Sequence, residues 1–332
     1  MDSKAKTIVV LGSSSFAGSC FCNFLLCNGF SVVGISRSAS NLLVGDRLKN
    51  LHHGNYSEIR CDLVTGRTAL SDFVSRLEAD WIIDFANQGM VAPSWNNPSV
   101  WFETNLSAKS ELVKTLISTG WKGRYLKIST PEVYGSVDDK IHIDAPMNPS
   151  TPYAIAHAAF DQYLIACHQT FDLDCIIGRF ANFYGEGQQL YRIIPRAMLF
   201  GLSGRILTLE GGGRSERAWI YKDDFCAAIL KCLDRGSSGA IYHFSGDEVF
   251  SIKQIVEKCC SQIGISFDEL VKMGEDRVGK DHRYLLDCSN TSKELDWYPE
   301  VTVDQGIERV FEWIHRNYGK LICEPDCYVF KK

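Results

Sequence analysis

Thr7-Ile8-Val9-Val10-Leu11-Gly12-Ser13-Ser14-Ser15-Phe16-Ala17-Gly18 is the stretch whose reading decides the fold. Its first half is a continuous apolar run, the mark of a strand buried on both faces. Glycine stops the run, small hydroxyl residues follow, and a helix is predicted from Phe16 to Asn28, where Gly29 ends it. Gly12 and Gly18, with Ser15 at the middle place, fit the spacing G-x-x-G-x-x-G. Between a strand and a helix, small residues let a backbone approach a pyrophosphate, and the helix N-terminus offers N–H groups to it. Gly12, Ser14, Ser15, Phe16 and Gly18 are therefore candidate dinucleotide contacts; the competing reading is a tight strand–helix turn with no ligand.

Working outward, strands are predicted at Ser31–Ile35, Trp81–Phe85, Tyr125–Ser129 and Cys175–Arg179. Helices are predicted near Leu70–Leu77 and over Ser107–Thr119 and Ala154–Thr170. Strands alternating with helices imply βαβ units and a parallel sheet. The fold class is α/β: a Rossmann-like doubly wound parallel sheet with a smaller, mostly helical C-terminal substrate domain. Residues 1–180 form the dinucleotide-binding part. Residues 218–245, a helix (Asp223–Leu233) and a strand (Ala240–Phe244), rejoin it, and 181–217 with 246–332 make the second domain.

The 332 residues, 45% hydrophobic and 23% charged, suit one large globular unit plus a smaller one. A net charge of -5 with no basic block argues against a nucleic-acid partner. No apolar run approaches the roughly 18 residues of a membrane span. The polar start, Met1 to Lys6, carries no signal-peptide pattern, so a cytoplasmic protein is expected. Thirteen cysteines are scattered without a C-x-x-C pair, which predicts reduced thiols and no metal site. Cys323 and Cys327 alone suggest a disulfide.

The second strand ends Gly34-Ile35-Ser36-Arg37-Ser38. An acidic residue there would hold the ribose 2′-hydroxyl of NAD; Arg37 with flanking serines suits a 2′-phosphate, so NADP is favoured over NAD. The alternative is Arg37 as a solvated loop residue, or stacked on adenine, with NAD bound. Cys61-Asp62-Leu63 closes a third strand, and Asp62 either meets the adenine amino group or caps a turn.

Two further segments carry the chemistry: Ser129-Thr130-Pro131-Glu132-Val133-Tyr134-Gly135, and Pro152-Tyr153-Ala154-Ile155-Ala156-His157. They bring a hydroxyl, a carboxylate and a phenol together. With the glycine turn, Asp62-Leu63 and Asn105, they resemble the extended short-chain dehydrogenase/reductases, the NAD-dependent epimerase/dehydratase family. Within it the resemblance is closest to nucleotide-sugar 4,6-dehydratases of the dTDP-glucose and GDP-mannose kinds, and it covers nearly the whole chain. Arg179-Phe180-Ala181-Asn182-Phe183-Tyr184-Gly185 is similar to the family's R-x-x-N-x-Y-G. Arg217-Ala218-Trp219 through Asp224 is similar to R-D-W-x-x-x-x-D, and Gly279-Lys280-Asp281-His282-Arg283-Tyr284 to G-H-D-R-R-Y. The resemblance implies cofactor contacts at Ala86, Asn105, Tyr153 and His157. It implies a nucleotide-sugar substrate gripped by Gln88, Asn182, Arg192, Arg217 and Arg283, and a homodimer joined through two helices per subunit, about Ser107–Thr119 and Ala154–Thr170.

It also implies a reaction. A 4,6-dehydratase oxidises the C4 alcohol, a base removes the acidified C5 proton, the C6 hydroxyl leaves, and the stored hydride returns to C6. Tyr153 as phenolate would deprotonate the C4 hydroxyl, which requires a pKa below its usual value of about 10. Thr130 would hydrogen-bond the developing oxyanion. Glu132 would take the C5 proton, a carboxylate that simple epimerases have no need of.

Three departures stand out. Pro131 occupies the place of an aspartate in the dTDP-sugar enzymes. Gly89 and Met90, in Asn87-Gln88-Gly89-Met90-Val91, replace a serine and a histidine that face the sugar. Most seriously, His157 replaces the lysine whose fixed charge lowers the tyrosine pKa. At i+4 it shares a helix face with Tyr153, so the geometry survives while the charge does not. Either His157 is held protonated, or another cation such as a nearby arginine helps, or turnover is slow. An epimerase, decarboxylase or C4 oxidase on the same scaffold, and a non-catalytic dinucleotide-binding homologue, stay open as alternatives.

Overall fold

The computed structural model describes residues 6–38, 55–275 and 283–328. Strands β1 (Thr7–Leu11), β2 (Ser31–Ser36), β3 (Tyr56–Arg60), β4 (Trp81–Asp84), β5 (Arg124–Ser129), β7 (Cys175–Phe180) and β11 (Ile241–Phe244) form one sheet in the order β11-β7-β5-β4-β1-β2-β3, every pair parallel. The short β6 (Lys140–Ile141), β8 (Asn182–Tyr184), β9 (Leu207–Glu210) and β10 (Glu216–Tyr221) lie outside it, as do β12 (Val249–Ser251), β13 (Val271–Gly274) and β14 (Leu285–Leu286).

The helices explain why β1 is apolar throughout. Ile8 and Val10 pack in a core that includes α1 (Phe16–Cys27), while Val9 and Leu11 face the core of the opposite layer. That second layer comprises α2 (Arg67–Arg76), then α3 (Pro98–Phe102) running through a π-turn (Glu103–Ser107) into α4 (Ala108–Ser118), and α5 (Pro152–Phe171). Period-2 alternation between two buried layers makes every position hydrophobic. Helix α6 (Ile193–Leu202) follows β8, and α7 (Lys222–Arg235) leads into β11, which pairs with β7 at the edge of the large sheet. Helix α6 packs with α8 (Ile252–Ile263) and the long α11 (Val303–Leu321) around a separate core containing Met198, Val256 and Val310; α9 (Phe267–Leu270) and α10 (Ser289–Leu295) are short.

Several boundaries differ from the sequence reading. The third strand stops at Arg60, and Cys61–Leu63 is already loop. The helix expected from Ser107 begins nine residues earlier, at Pro98, because the π-turn carries one helical path into the next. Helix α5 begins at Pro152, preset for the first turn, with the Thr151 hydroxyl accepting from the Ala154 N–H at 3.2 Å. All thirteen cysteines are free thiols, Cys323 and Cys327 included, which corrects the suggested disulfide.

The chain runs β1→β2→β3 towards one edge, then returns to β4 and continues through β5 and β7 to the other. The reversal between β1 and β4 opens a crevice at the carboxyl ends of the strands, where ligands of doubly wound sheets bind. Gly12 lies on one side of it at φ 77°, and a Cβ there would come within 2.8 Å of the backbone of Phe85 and Ala86 on the other. Only glycine allows that approach.

Candidate active site

A cavity of about 1320 Å³ occupies this crevice and continues under the C-terminal core. It joins the turn after β1 (Gly12, Ser14, Ser15, Phe16), the end of β2 (Arg37), Asp62 and Leu63 after β3, and Ala86 and Gln88 after β4. Thr130 and Glu132 after β5, and Tyr153 and His157 on α5, form its middle. Asn182, Arg192 and Arg217 line the far end. Three expected site residues stand outside the wall. Gly18 is one: a Cβ there would meet the Gly12 carbonyl at 2.3 Å, so its part is to let α1 close onto the turn. Asn105 is fully buried behind the wall. Its side-chain oxygen accepts from the Gln88 N–H at 2.8 Å and its amide donates to the Gln88 carbonyl at 3.2 Å, which pins the loop that carries Gln88. Arg283 is the third, half-exposed and paired with Glu216 at 3.3 Å. Of the surrounding motif, residues 279–282 lie outside the described residues.

At the β1 turn, the Ser15 hydroxyl accepts from the Gly18 N–H at 3.0 Å and so caps α1, which is why serine serves at the middle glycine position. Asp62 turns its Oδ1 to the N–H groups of Val64 and Thr65 at 2.8 and 2.9 Å, the turn-capping reading, while its Oδ2 lies 4.0 Å from Arg37. Arg217 lies over the Tyr284 ring at 4.4 Å, and the Tyr284 hydroxyl donates to Asn182 at 3.3 Å, so Arg217 and Asn182 are held by one aromatic post.

The catalytic candidates sit on two short elements. A 3-10 turn (Pro131–Tyr134) follows β5, capped by Thr130, whose hydroxyl accepts from the Glu132 N–H at 3.2 Å. Gly135 closes it at φ 70°, where a Cβ would strike the Asn148 carbonyl at 2.4 Å; this accounts for the glycine of the Glu-Val-Tyr-Gly run. Tyr153 and His157 lie on successive turns of α5, ring centroids 4.6 Å apart and planes tilted by 52°. Burial pushes the Tyr153 phenol well above its usual pKa and the Glu132 charge adds to the rise, while the Thr130 hydrogen bond and the Arg192 charge pull it down. The protein's own groups therefore raise this phenol's pKa on balance, opposite to the lowering expected of it.

His157 is 2% exposed, and among the described residues neither ring nitrogen has a hydrogen-bond partner. Burial drives its pKa far below the usual value, and the charges of Lys127 and Lys109 push in the same direction. Its surroundings therefore favour the neutral imidazole and disfavour His157 as the missing cation. Arg192 is the positive group acting on Tyr153. Two unpartnered, buried ring nitrogens on a cavity wall fit a polar ligand group such as a ribose hydroxyl.

Sequence reasoning missed what lies behind His157. Lys127 on β5, fully buried, donates to the His157 carbonyl at 2.8 Å and to Asp161 at 2.5 Å. Arg179 also pairs with Asp161, at 2.9 Å, and Lys109 pairs with Asp84 at 2.7 Å. Three buried cations thus face two buried carboxylates. The only sequence signal was a lysine inside the apolar run Tyr125-Leu126-Lys127-Ile128. Among the described residues no group of three or more His, Cys, Asp or Glu side chains is arranged to hold a metal ion. No helix among them is long and apolar enough to cross a membrane.

Comparison with known proteins places these features in a family. Residues 9–310 match the family model of GDP-mannose 4,6 dehydratase, and the chain belongs to that family, within the NAD-dependent epimerase/dehydratases of the extended short-chain dehydrogenase/reductases. Among similar proteins, the low-salt glycan biosynthesis protein Agl12 of Haloferax volcanii is 31% identical over 308 residues, 92% of this chain and 97% of that one. The dTDP-glucose 4,6-dehydratase of Streptomyces niveus is 31% identical over 264 residues, 79% and 77% of the two chains. Among solved structures, DesIV, a dTDP-glucose 4,6-dehydratase from Streptomyces venezuelae with NAD and TYD bound, superposes with a TM-score of 0.87 at 29% identity, covering 94% of this chain and 98% of that one. A UDP-glucose 4-epimerase from Thermotoga maritima shares the fold, with a TM-score of 0.85 at 21% identity over 94% and 99% of the chains.

Proposed function

We propose that this chain is a nucleotide-hexose 4,6-dehydratase that forms a 4-keto-6-deoxy sugar nucleotide. The observation that carries the reading is Glu132 lining the same cavity as Thr130 and Tyr153, its charge felt at the phenol. A bound nicotinamide dinucleotide would take a hydride from C4 and give it back at C6. Gly12, Ser14, Ser15, Phe16, Arg37, Asp62, Leu63 and Ala86 would hold it, with His157 hydrogen-bonding a ribose hydroxyl through a neutral ring nitrogen. Arg37 favours NADP, and its ion pair with Asp62 tempers the preference. Tyr153 accepts the C4 hydroxyl proton, Thr130 steadies the oxygen left behind, and Glu132 removes the C5 proton once C4 is a ketone. Arg192, Arg217 and Asn182 bind the diphosphate end, within a substrate part made of residues 181–217 and 246–332. Arg283, next in the chain to Tyr284, would join them on leaving its ion pair with Glu216. A homodimer through α4 and α5 accords with the exposed Ile155 and Phe171 on α5.

Incubation with dTDP-, GDP-, UDP- and CDP-hexoses, read by product mass, tests the reading: one member should lose one water. Loss of carbon dioxide would replace it with a decarboxylase, and no change in mass with a new sugar isomer by NMR would replace it with an epimerase. Glu132→Gln should slow water loss about 10²–10⁴-fold and stop exchange of the C5 proton with deuterated solvent. Unimpaired C5 exchange in that variant would remove Glu132 from the role.

His157→Lys bears on the departure from the family. Activity needs the deprotonated phenol, so the rate rises with pH through the Tyr153 titration. An ammonium at 157 favours phenolate but meets Lys127 and Lys109 behind it. The acidic limb of the pH–rate profile should move down by about one unit, the low end for a neighbouring opposite charge. An unmoved limb would mean the buried lysines keep the new side chain neutral, and loss of all activity would mean the site is built around the imidazole.

A further inference from the structure

Helix α11 ends at Leu321, and the chain then crosses back over the cavity: Glu324, Pro325, Cys327 and Tyr328 all line it. The stretch lies beyond the family match, which stops at residue 310. Two contacts tie it down. Asp326 forms an ion pair with Arg205, whose guanidinium is packed on the Phe200 ring at 3.9 Å. Tyr328 meets the Tyr191 ring edge to face at 5.6 Å, and Tyr191 in turn carries the Arg192 guanidinium 5.6 Å from its ring. Tyr328 is half-buried, and it feels the charges of both Arg37 and Arg192, one at each end of the ligand path.

We propose that the segment Glu324–Tyr328 is an added wall of the dinucleotide site, and that Tyr328 contacts the bound cofactor between Arg37 and Arg192 and slows its escape. The inference rests on the reading of the cavity as a dinucleotide site. Its chemical sense follows from a hydride that is taken up and handed back within one turnover: a cofactor lost between the two transfers leaves the sugar stranded as a ketone. A strap held by one ion pair and one aromatic contact opens readily enough to admit ligand and closes over it once bound.

The test is the dissociation rate of NADH and of NADPH, followed by their fluorescence after mixing the loaded protein with excess ADP-ribose. A chain ending at Ile322 should release whichever dinucleotide binds about tenfold faster than the full chain, the scale of one aromatic contact plus one partly exposed ion pair. Tyr328→Ala and Arg205→Ala, which leave the backbone intact, should each show part of the acceleration. Tyr328→Phe should restore slow release if the ring does the holding. Equal rates in the truncated, Tyr328→Ala and full-length proteins would overturn the strap while leaving the dinucleotide site standing. Slower release from the truncated chain would also overturn it, since the segment would then occupy ligand space. Failure of the full chain to bind either dinucleotide would sink the underlying reading, and the strap with it.

Discussion

Tyr153→Phe is expected to abolish hydride movement while leaving ligand binding and the fold intact. The partly buried phenol lines the cavity beside His157, and phenylalanine fills the same space. Only the hydroxyl is lost, and with it the hydrogen bond to Thr130 and the group that accepts the C4 proton in the proposed reaction. Removing a positioned base costs about 10²–10⁴-fold in rate, and the upper part of that range is expected. In the proposed reaction Glu132, the other acid–base group at this point of the wall, serves C5. Substrate deuterated at C4 gives the readout: the native enzyme should deliver the label to C6 of the product, and the Phe variant should deliver none above background. A fully active variant would remove Tyr153 from the mechanism. The native protein carries a second signature. Burial and Glu132 hold the phenol protonated, so activity should still be rising above pH 8, later than for a tyrosine with a cation at i+4.

The parts of this site visible in the sequence were those whose side chains or turns obey local rules. An apolar run stopped by Gly12 names its own place in the sheet, because period-2 burial on two faces and a positive φ are both properties of a few adjacent residues. Tyr153 and His157 are related by helix geometry alone. Electrostatics was not visible in this way. Whether His157 is charged depends first on its burial, then on Lys127, thirty positions away on β5, and on Lys109 on α4, which only the packing of α5 reveals. The same holds for Asn105, which matches a family position but turns its amide to the Gln88 backbone. Tyr328 was missed for a third reason: nothing in the residues after α11 signals that they fold back over a cavity built by strands three hundred positions earlier.

The buried charges also set how His157 can be reached by evolution or design. With Lys127 and Lys109 in place, a lysine at 157 would add a fourth cation to a cluster holding two carboxylates. A neutral imidazole avoids that repulsion and keeps a hydrogen-bonding atom at the same point of the helix. His157 and Lys127 are therefore best read together: burial first, and then the charge of the lysine beneath it, keep the histidine neutral.

Asp161→Ala should be the most destabilising single change in this region. Asp161 is fully buried and accepts from Lys127, from Arg179 and from the Ser129 hydroxyl at 2.9 Å. Its removal leaves three buried cations facing Asp84 alone, with Lys127 bonded only to the His157 carbonyl. Breaking a buried pair from one side costs about 3–5 kcal/mol, because the remaining charge stays desolvated. The sign of the pH dependence separates this cause from a simple cavity. Burial already lowers the Lys127 pKa to about 8, with Asp161 the chief influence raising it. Without Asp161 it falls further. Between that value and the unfolded lysine's pKa of about 10.4 the unfolded chain holds more protons than the folded one, so stability rises with pH over that window. The loss relative to the native protein, read from urea midpoints, should therefore be larger at pH 6 than at pH 9. A loss equal at both pH values would assign the effect to packing. A loss below about 1 kcal/mol at both would mean that water reaches Lys127, so that it is not sealed as the structure has it.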